Sequence, residues 1–185
     1  HVPTITEWGA LVIAAGGKDT AGGALKEAGT THWLTPNTGA VDTYGFAARP
    51  GGVRLSITDS DEYLTKNAYY WSATEENTLN AKFVSFSYSN DYVFGAFPQL
   101  SMAGGFMPKL TGMSVRLIVD TPIEIDGSNA IYVGNDGKRY NCKLMPDGNW
   151  WTVENLIETK YRNGNDITIT LDIDSWVALG TQGGI

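Results

Sequence analysis

Apolar positions recur along this chain at two periods, and the helical one comes first. In Pro3-Thr4-Ile5-Thr6-Glu7-Trp8 the Thr4 side chain can accept from the backbone amide three residues on while Glu7 reaches back to the Thr4 amide. That capping box predicts a helix start. Trp8, Leu11, Val12 and Ala15 then share one helical face, and Gly16-Gly17 supplies a left-handed stop. A shorter helical turn is expected over residues 20–26, where Gly22 and Gly23 weaken it by ~1 kcal/mol each relative to alanine.

After that turn the period shortens towards two. Residues 30–33 are followed by a Pro36 and Gly39 turn, and residues 45–52 read as a strand ending in a sharp turn. Further strands are expected at 68–72, 82–89, 92–97 and 113–119. Within 82–88, alternation sends Val84, Phe86 and Tyr88 to one face and Phe83, Ser85 and Ser87 to the other. Val84, Phe86 and Trp71 are the expected core residues here. Residues 98–109, rich in Gly and Pro, read as an extended loop of a length that is often functional.

Asp120-Thr121-Pro122 marks the expected boundary between a unit at 1–120 and a strand-rich segment at 121–185. In the second segment, residues 131–133 and 139–144 flank Asp136-Gly137, a strong hairpin signal. Residues 149–153 and 167–171 read as strands, and Asp172 or Asp174 caps a short helix holding Trp176 and Leu179. No internal repeat with a period of 20 to 50 residues is present.

Composition favours a loop-rich, strand-rich fold, which with the helix at Thr4 makes an α+β class. The 22 glycines among 185 residues imply many tight turns and few long helices. A net charge of -7 removes nucleic acid from the expected partners, because phosphate binding needs clustered Lys and Arg. Cys142 alone cannot form an internal disulfide, and its expected role is a small buried hydrophobe beside Tyr140. No apolar run approaches the ~20 residues that span a bilayer, so no membrane insertion is expected within this chain.

The residues now in view resemble the Fibrobacter succinogenes major paralogous domain family, found in surface and secreted proteins of the Bacteroidetes and relatives. The matching pieces are His1-Val2-Pro3-Thr4 with Glu7-Trp8, Ala21-Gly22-Gly23 with Leu25-Lys26-Glu27, Thr31-His32-Trp33, Gly45-Phe46 with Pro50-Gly51-Gly52, Tyr70 to Glu75, and Ser114-Val115-Arg116. Together they cover about residues 1 to 120. The resemblance implies a C-type-lectin-like fold of the subtype shared with formylglycine-generating enzymes and with the variable proteins of diversity-generating retroelements. Such a fold has small twisted antiparallel sheets, one main helix and long irregular loops.

The order of parts departs from the family. Asp136 to Tyr140, Trp151 to Leu156 and Thr159 to Gly164 resemble the segment that opens such a domain, yet here they come last. A chain cut or processed from a longer one is the favoured expectation, against a permuted unit or a segment that completes a neighbouring subunit. Trp151 and Leu156 are then expected to be buried against the helix of Trp8, in the same or an adjacent molecule.

Catalysis finds little footing. Formylglycine-generating enzymes use cysteines near the domain's end, and residues 1–120 hold none. A Ser-His-Asp triad would need His1 or His32, and no Gly-x-Ser-x-Gly turn exists. His32 reads as a polar residue satisfied at the core's edge. The carboxylates of Glu75 with Glu76, and of Asp59, Asp61 and Glu62, read as a solvated acidic rim, since neighbours on one strand point to opposite faces. With Asn77 or Asp91 they are also candidate calcium ligands, but the Glu-Pro-Asn and Trp-Asn-Asp signatures of sugar-binding calcium lectins are absent. No other cofactor is expected.

Aromatics mixed with amides point to binding instead. The expected ligand-binding residues are Glu76, Asn77, Lys82, Asn90, Asp91, Tyr92 and Phe94, with Tyr70 to Glu75 as framework. By resemblance to the retroelement proteins, Phe83 and Ser85 would join a variable face. The expected function is a non-enzymatic recognition or adhesion module, extracellular on a cell surface or virion, binding protein or carbohydrate through loops between residues 59 and 107. The alternative is a structural subunit that binds copies of itself head to tail in a surface fibre or virion.

Overall fold

The helix predicted from Thr4 forms as α1 (Ile5–Ala14) in the computed structural model, which describes residues 1–55, 60–100 and 105–168. Thr4 Oγ1 accepts from the Glu7 amide at 3.2 Å, and Glu7 Oε2 accepts from the Thr4 amide at 2.7 Å. Ile5, Trp8, Leu11, Val12 and Ala15 are buried, and Gly16 and Gly17 end the helix with φ of 117° and 88°. In α2 (Ala21–Leu25) the glycine pair has a different use. A Cβ on Gly22 would stand 2.5 Å from the Asp91 carbonyl oxygen, and one on Gly23 2.4 Å from that of Gly39. The helix gives up propensity so that two loops can lie directly against it.

β1 (Val53–Leu55) pairs with β2 (Ser60–Glu62) as a short antiparallel ribbon. β3 (Asn67–Glu75) and β4 (Asn80–Ser87) form the main hairpin, and β5 (Val93–Gly95) and β6 (Phe106–Pro108) share the other edge of β4. The second sheet runs in the order β10-β9-β8-β7, from β7 (Ile123–Asp126), β8 (Asn129–Val133), β9 (Arg139–Leu144) and β10 (Trp150–Thr152). Every strand pair is antiparallel, so the described chain is α+β with small antiparallel sheets and one main helix.

Three predicted elements differ. Residues 45–52 form no regular strand: Ala47 sits at φ 51° with its amide held by Asp42, and Ala48 makes one parallel bridge to Lys26. The predicted loop at 98–109 contains a 3-10 turn at Pro98–Leu100 and then β6, because β5 is too short to pair the Asn80 end of β4. Residues 113–119 form no regular strand and carry only isolated bridges at Ser114 and Ile118. Their partners change along the way: the Trp71 amide donates to Ser114, the Ile118 amide to His1, and the Thr152 amide to Leu117. Asp59, most of the strand predicted at 167–171, and the helix of Trp176 and Leu179 lie outside the described residues.

Two apolar clusters meet across 113–119. Ile118 joins a large core with Trp8, Phe46, Tyr70, Val84, Phe86 and Trp151. Leu117 and Val119 join a smaller one with Ala130 and Cys142, against which Val2, Val115 and Leu156 pack. Trp151 is fully buried, its ring 4.7 Å from that of Trp8 and 5.9 Å from that of Phe46, and its indole N–H donates to Asp147 at 3.1 Å. Leu156 differs from expectation. Its amide bonds to the Val115 carbonyl, which seats it in the smaller cluster instead of against Trp8.

Two buried cations tie loops to this frame. Lys26 is fully buried and donates to the carbonyls of Thr38 at 2.9 Å, Ser87 at 2.8 Å and Asn90 at 2.7 Å, using all three ammonium protons. Burial pushes its pKa down to about 8. Arg116 donates to the carbonyls of Phe46, Thr152 and Ala47 and to Asn155 Oδ1 at 2.9–3.1 Å, with its guanidinium 5.0 Å from the Phe46 ring centroid.

The turn between β8 and β9 is held by Asp136, which accepts from the Lys138 side chain and amide and from the Thr159 amide and hydroxyl. These bonds, the Lys138 side chain's foremost, hold the carboxyl well below its ordinary 3.8. A carboxyl depressed on folding contributes stability that is present above 3.8 and lost as pH falls below it towards the folded value. Urea midpoints measured from neutral pH into acid are therefore expected to fall less steeply in Asp136→Asn than in the parent chain. Parallel acid limbs would contradict this.

Candidate functional site

The β3–β4 register sets Tyr69 opposite Ser85 and Trp71 opposite Phe83, while β5 sets Phe94 opposite Ser85. Cross-strand partners share a face, so Tyr69, Trp71, Phe83, Ser85 and Phe94 all point away from α1. Tyr70, Val84, Phe86 and Val93 point inward and are fully buried. This corrects the expectation that Trp71 is core. Period two assigns the inward place to its neighbour Tyr70 and leaves Trp71 half-buried on the outer face.

That outer face carries a row of rings. Tyr63 and Tyr69 have centroids 6.1 Å apart, Tyr69 and Phe83 5.7 Å, and Phe83 and Phe94 5.9 Å. Tyr63 at one end is 50% exposed and Phe94 at the other 38%, while Phe83 between them is buried. Burial pushes the Tyr69 phenol up, so it keeps its proton as a donor. Beside the row, Val2, Trp71, Ala73, Ala81 and Val115 line a groove of about 430 Å³, whose rim is the ion pair of Glu75 and Lys109.

The structure divides the sequence-predicted residues among three places. Glu76 and Lys82 meet at 3.4 Å near the β3–β4 tip, next to the groove's Glu75 and Ala81. Asn77 stands at the same tip, where its Oδ1 accepts from the amides of Leu79 and Asn80 at 3.0 Å and so builds the turn. Phe94 closes the aromatic row. Asn90, Asp91 and Tyr92 follow the far end of the 8-residue β4, about 25 Å from the tip along the strand. There Asn90 Oδ1 accepts from the Tyr92 amide, the Asp91 carbonyl accepts from Gly22, and the Tyr92 ring lies 5.3 Å from Lys18 Nζ.

Sequence reasoning missed Tyr63, Tyr69 and the groove. Alternation through 68–71 carried the signal for Tyr69 and Trp71. Val2, Lys109 and Val115 come from distant parts of the chain and left no local pattern.

His32 and Cys142 are engaged elsewhere. His32 Nδ1 lies 2.7 Å from Glu27, which also binds Arg49 at 3.0 Å, and burial pushes the Cys142 thiol up to about 11. Among the described residues no group of three or more His, Cys, Asp or Glu is placed to hold a metal ion, and no helix is long and apolar enough to cross a membrane.

These features define a small α+β domain that turns one aromatic sheet face outward. The chain belongs to the Fibrobacter succinogenes major domain family, whose model matches residues 1–119 and so ends just before the β7–β10 sheet. No curated protein and no solved structure matches the chain.

Proposed function

We propose that this protein is a non-enzymatic recognition or adhesion module on a C-type-lectin-like scaffold, presented outside the cell on a bacterial surface or on a phage particle. The outer face of β3, β4 and β5 holds a protein or carbohydrate partner. The observation that carries this reading is the aromatic row from Tyr63 to Phe94, exposed at its two ends, beside a groove that Trp71 lines. Exposed tyrosine and tryptophan give large contact area with a polar handle at low entropic cost. The Glu75–Lys109 and Glu76–Lys82 pairs supply a polar rim.

The reading is tested by screening glycans and surface proteins for a binder and repeating the measurement with Trp71→Ala and Phe94→Ala. Each side chain is partly exposed, so thermal melting is expected to shift by only a few degrees. Each substitution is expected to weaken binding about 30-fold, the scale of a ~2 kcal/mol hot spot. Unchanged affinity in both variants would refute the assignment.

A further inference from the structure

We infer that the β7–β10 sheet exchanges between two copies of the chain, each copy seating its sheet on the other's α1 core. The seat is specific. Trp151 fills a fully buried place between Trp8 and Phe46, and Arg116 sends bonds to the Thr152 carbonyl and to Asn155. The amides of Thr152, Val119 and Leu156 bond to Leu117, Trp150 and Val115. All of these contacts join residues 1–119 to residues 150–156, and only Asp120-Thr121-Pro122 links the two parts before β7 begins.

That link is taut. Val119 lies beside β10, at one edge of a sheet ordered β10-β9-β8-β7, while Ile123 opens β7 at the other edge. A flat sheet would put them four strand spacings apart, about 19 Å. Four residue steps span at most about 14 Å. The sheet therefore curls back over 117–121, where Ile131, Tyr132 and Val133 border the same cavity as Leu117 and Thr121. Glu124, just past the link, sits at φ 51°, a left-handed conformation that a residue with a Cβ rarely adopts, and the β7–β8 register shifts there.

A short connection that must bend back in this way favours exchange, because the same contacts form in trans without the crossing. The occupant of the seat is a second copy, since the surface that seats Trp151 is built from this chain itself. Reciprocal exchange closes as a two-fold dimer. If the aromatic face is the recognition surface proposed above, the dimer presents two such faces and gains avidity. The exchange itself does not depend on that reading.

Ser114 Oγ and Asn155 Nδ2 lie 2.9 Å apart across the seat. Ser114→Cys with Asn155→Cys, on a Cys142→Ser background, is refolded at low and at high protein concentration, oxidised and run unfolded without reductant. A covalent two-chain species is expected from the concentrated sample, with intramolecular links only from the dilute one. Lengthening the link by flexible residues between Thr121 and Pro122 is expected to return the concentrated sample to single chains. Light scattering on the parent chain, refolded in the same two ways, should show a doubled mass only at high concentration. Single-chain links and a single-chain mass at every concentration would overturn the inference. So would a covalent dimer fraction that ignores the longer link, and a ladder of three or more chains would overturn the closed form.

Discussion

Trp151→Ala is expected to lower the stability of the whole chain by about 3–5 kcal/mol, the range for removing a buried tryptophan. The residue belongs by sequence to the segment beyond the family match, yet its ring is fully buried against Trp8 and Phe46. Its loss opens a cavity between α1, the loop at Phe46 and β10, three elements that cannot collapse together without breaking the Val119 to Trp150 and Thr152 to Leu117 bonds. Trp151→Phe should cost less, because most of the ring area stays. It still deprives Asp147 Oδ2 of the indole donor at 3.1 Å, which is worth about 1–3 kcal/mol. Urea unfolding of the two variants reads both values. A loss below about 1 kcal/mol for the alanine variant would mean that the β7–β10 sheet is not part of the first unit's core.

The second large effect is expected at Arg116. Replacing it with Met keeps much of the volume between Phe46 and Tyr70 but strands four acceptors: the carbonyls of Phe46, Ala47 and Thr152, and Asn155 Oδ1. Buried acceptors left unpaired cost about 1–3 kcal/mol each and do not add fully, so a total of about 3–5 kcal/mol is expected. Lysine should not rescue the loss, because a point ammonium cannot span the four positions that the planar guanidinium fork reaches. Equilibrium denaturation of Arg116→Met and Arg116→Lys provides the check. Near-parental stability in the lysine variant would show that charge alone matters there.

Local signals in the sequence were read correctly where the physics was local. The Thr4 and Glu7 capping box, the glycine stop after Ala15 and the Asp136-Gly137 hairpin each depend on residues within a few positions of one another. The inward places of Val84 and Phe86 followed from alternation alone. Failures came where long-range pairing decides. β6 exists because β4 outruns β5, which no feature of residues 106–108 announces. Gly22 and Gly23 looked like helix weaknesses because the chain that lies against them, at Asp91 and Gly39, is remote in sequence.

The site was legible only in part for the same reason. Glu76, Asn77 and Lys82 are brought together by one hairpin tip, and Phe94 joins its row through the β4–β5 register. Asn90 and Asp91 carry attractive polar side chains, but their backbones are taken up in holding Lys26 and α2. Tyr69 and Trp71 fell within a stretch read as framework. In a strand one residue can serve the core while its neighbour serves the surface, and Tyr70 beside Trp71 does this.

The most direct test of the recognition face is hydroxyl-radical footprinting of aromatic side chains, with and without a saturating binder found in the screen. Tyr63, Trp71 and Phe94 are expected to lose reactivity on binding, while the equally accessible Tyr161 and the Tyr92 ring beside Lys18 keep theirs. Protection at Tyr92 with Tyr63, Trp71 and Phe94 unchanged would place the partner at the far turn and contradict the account.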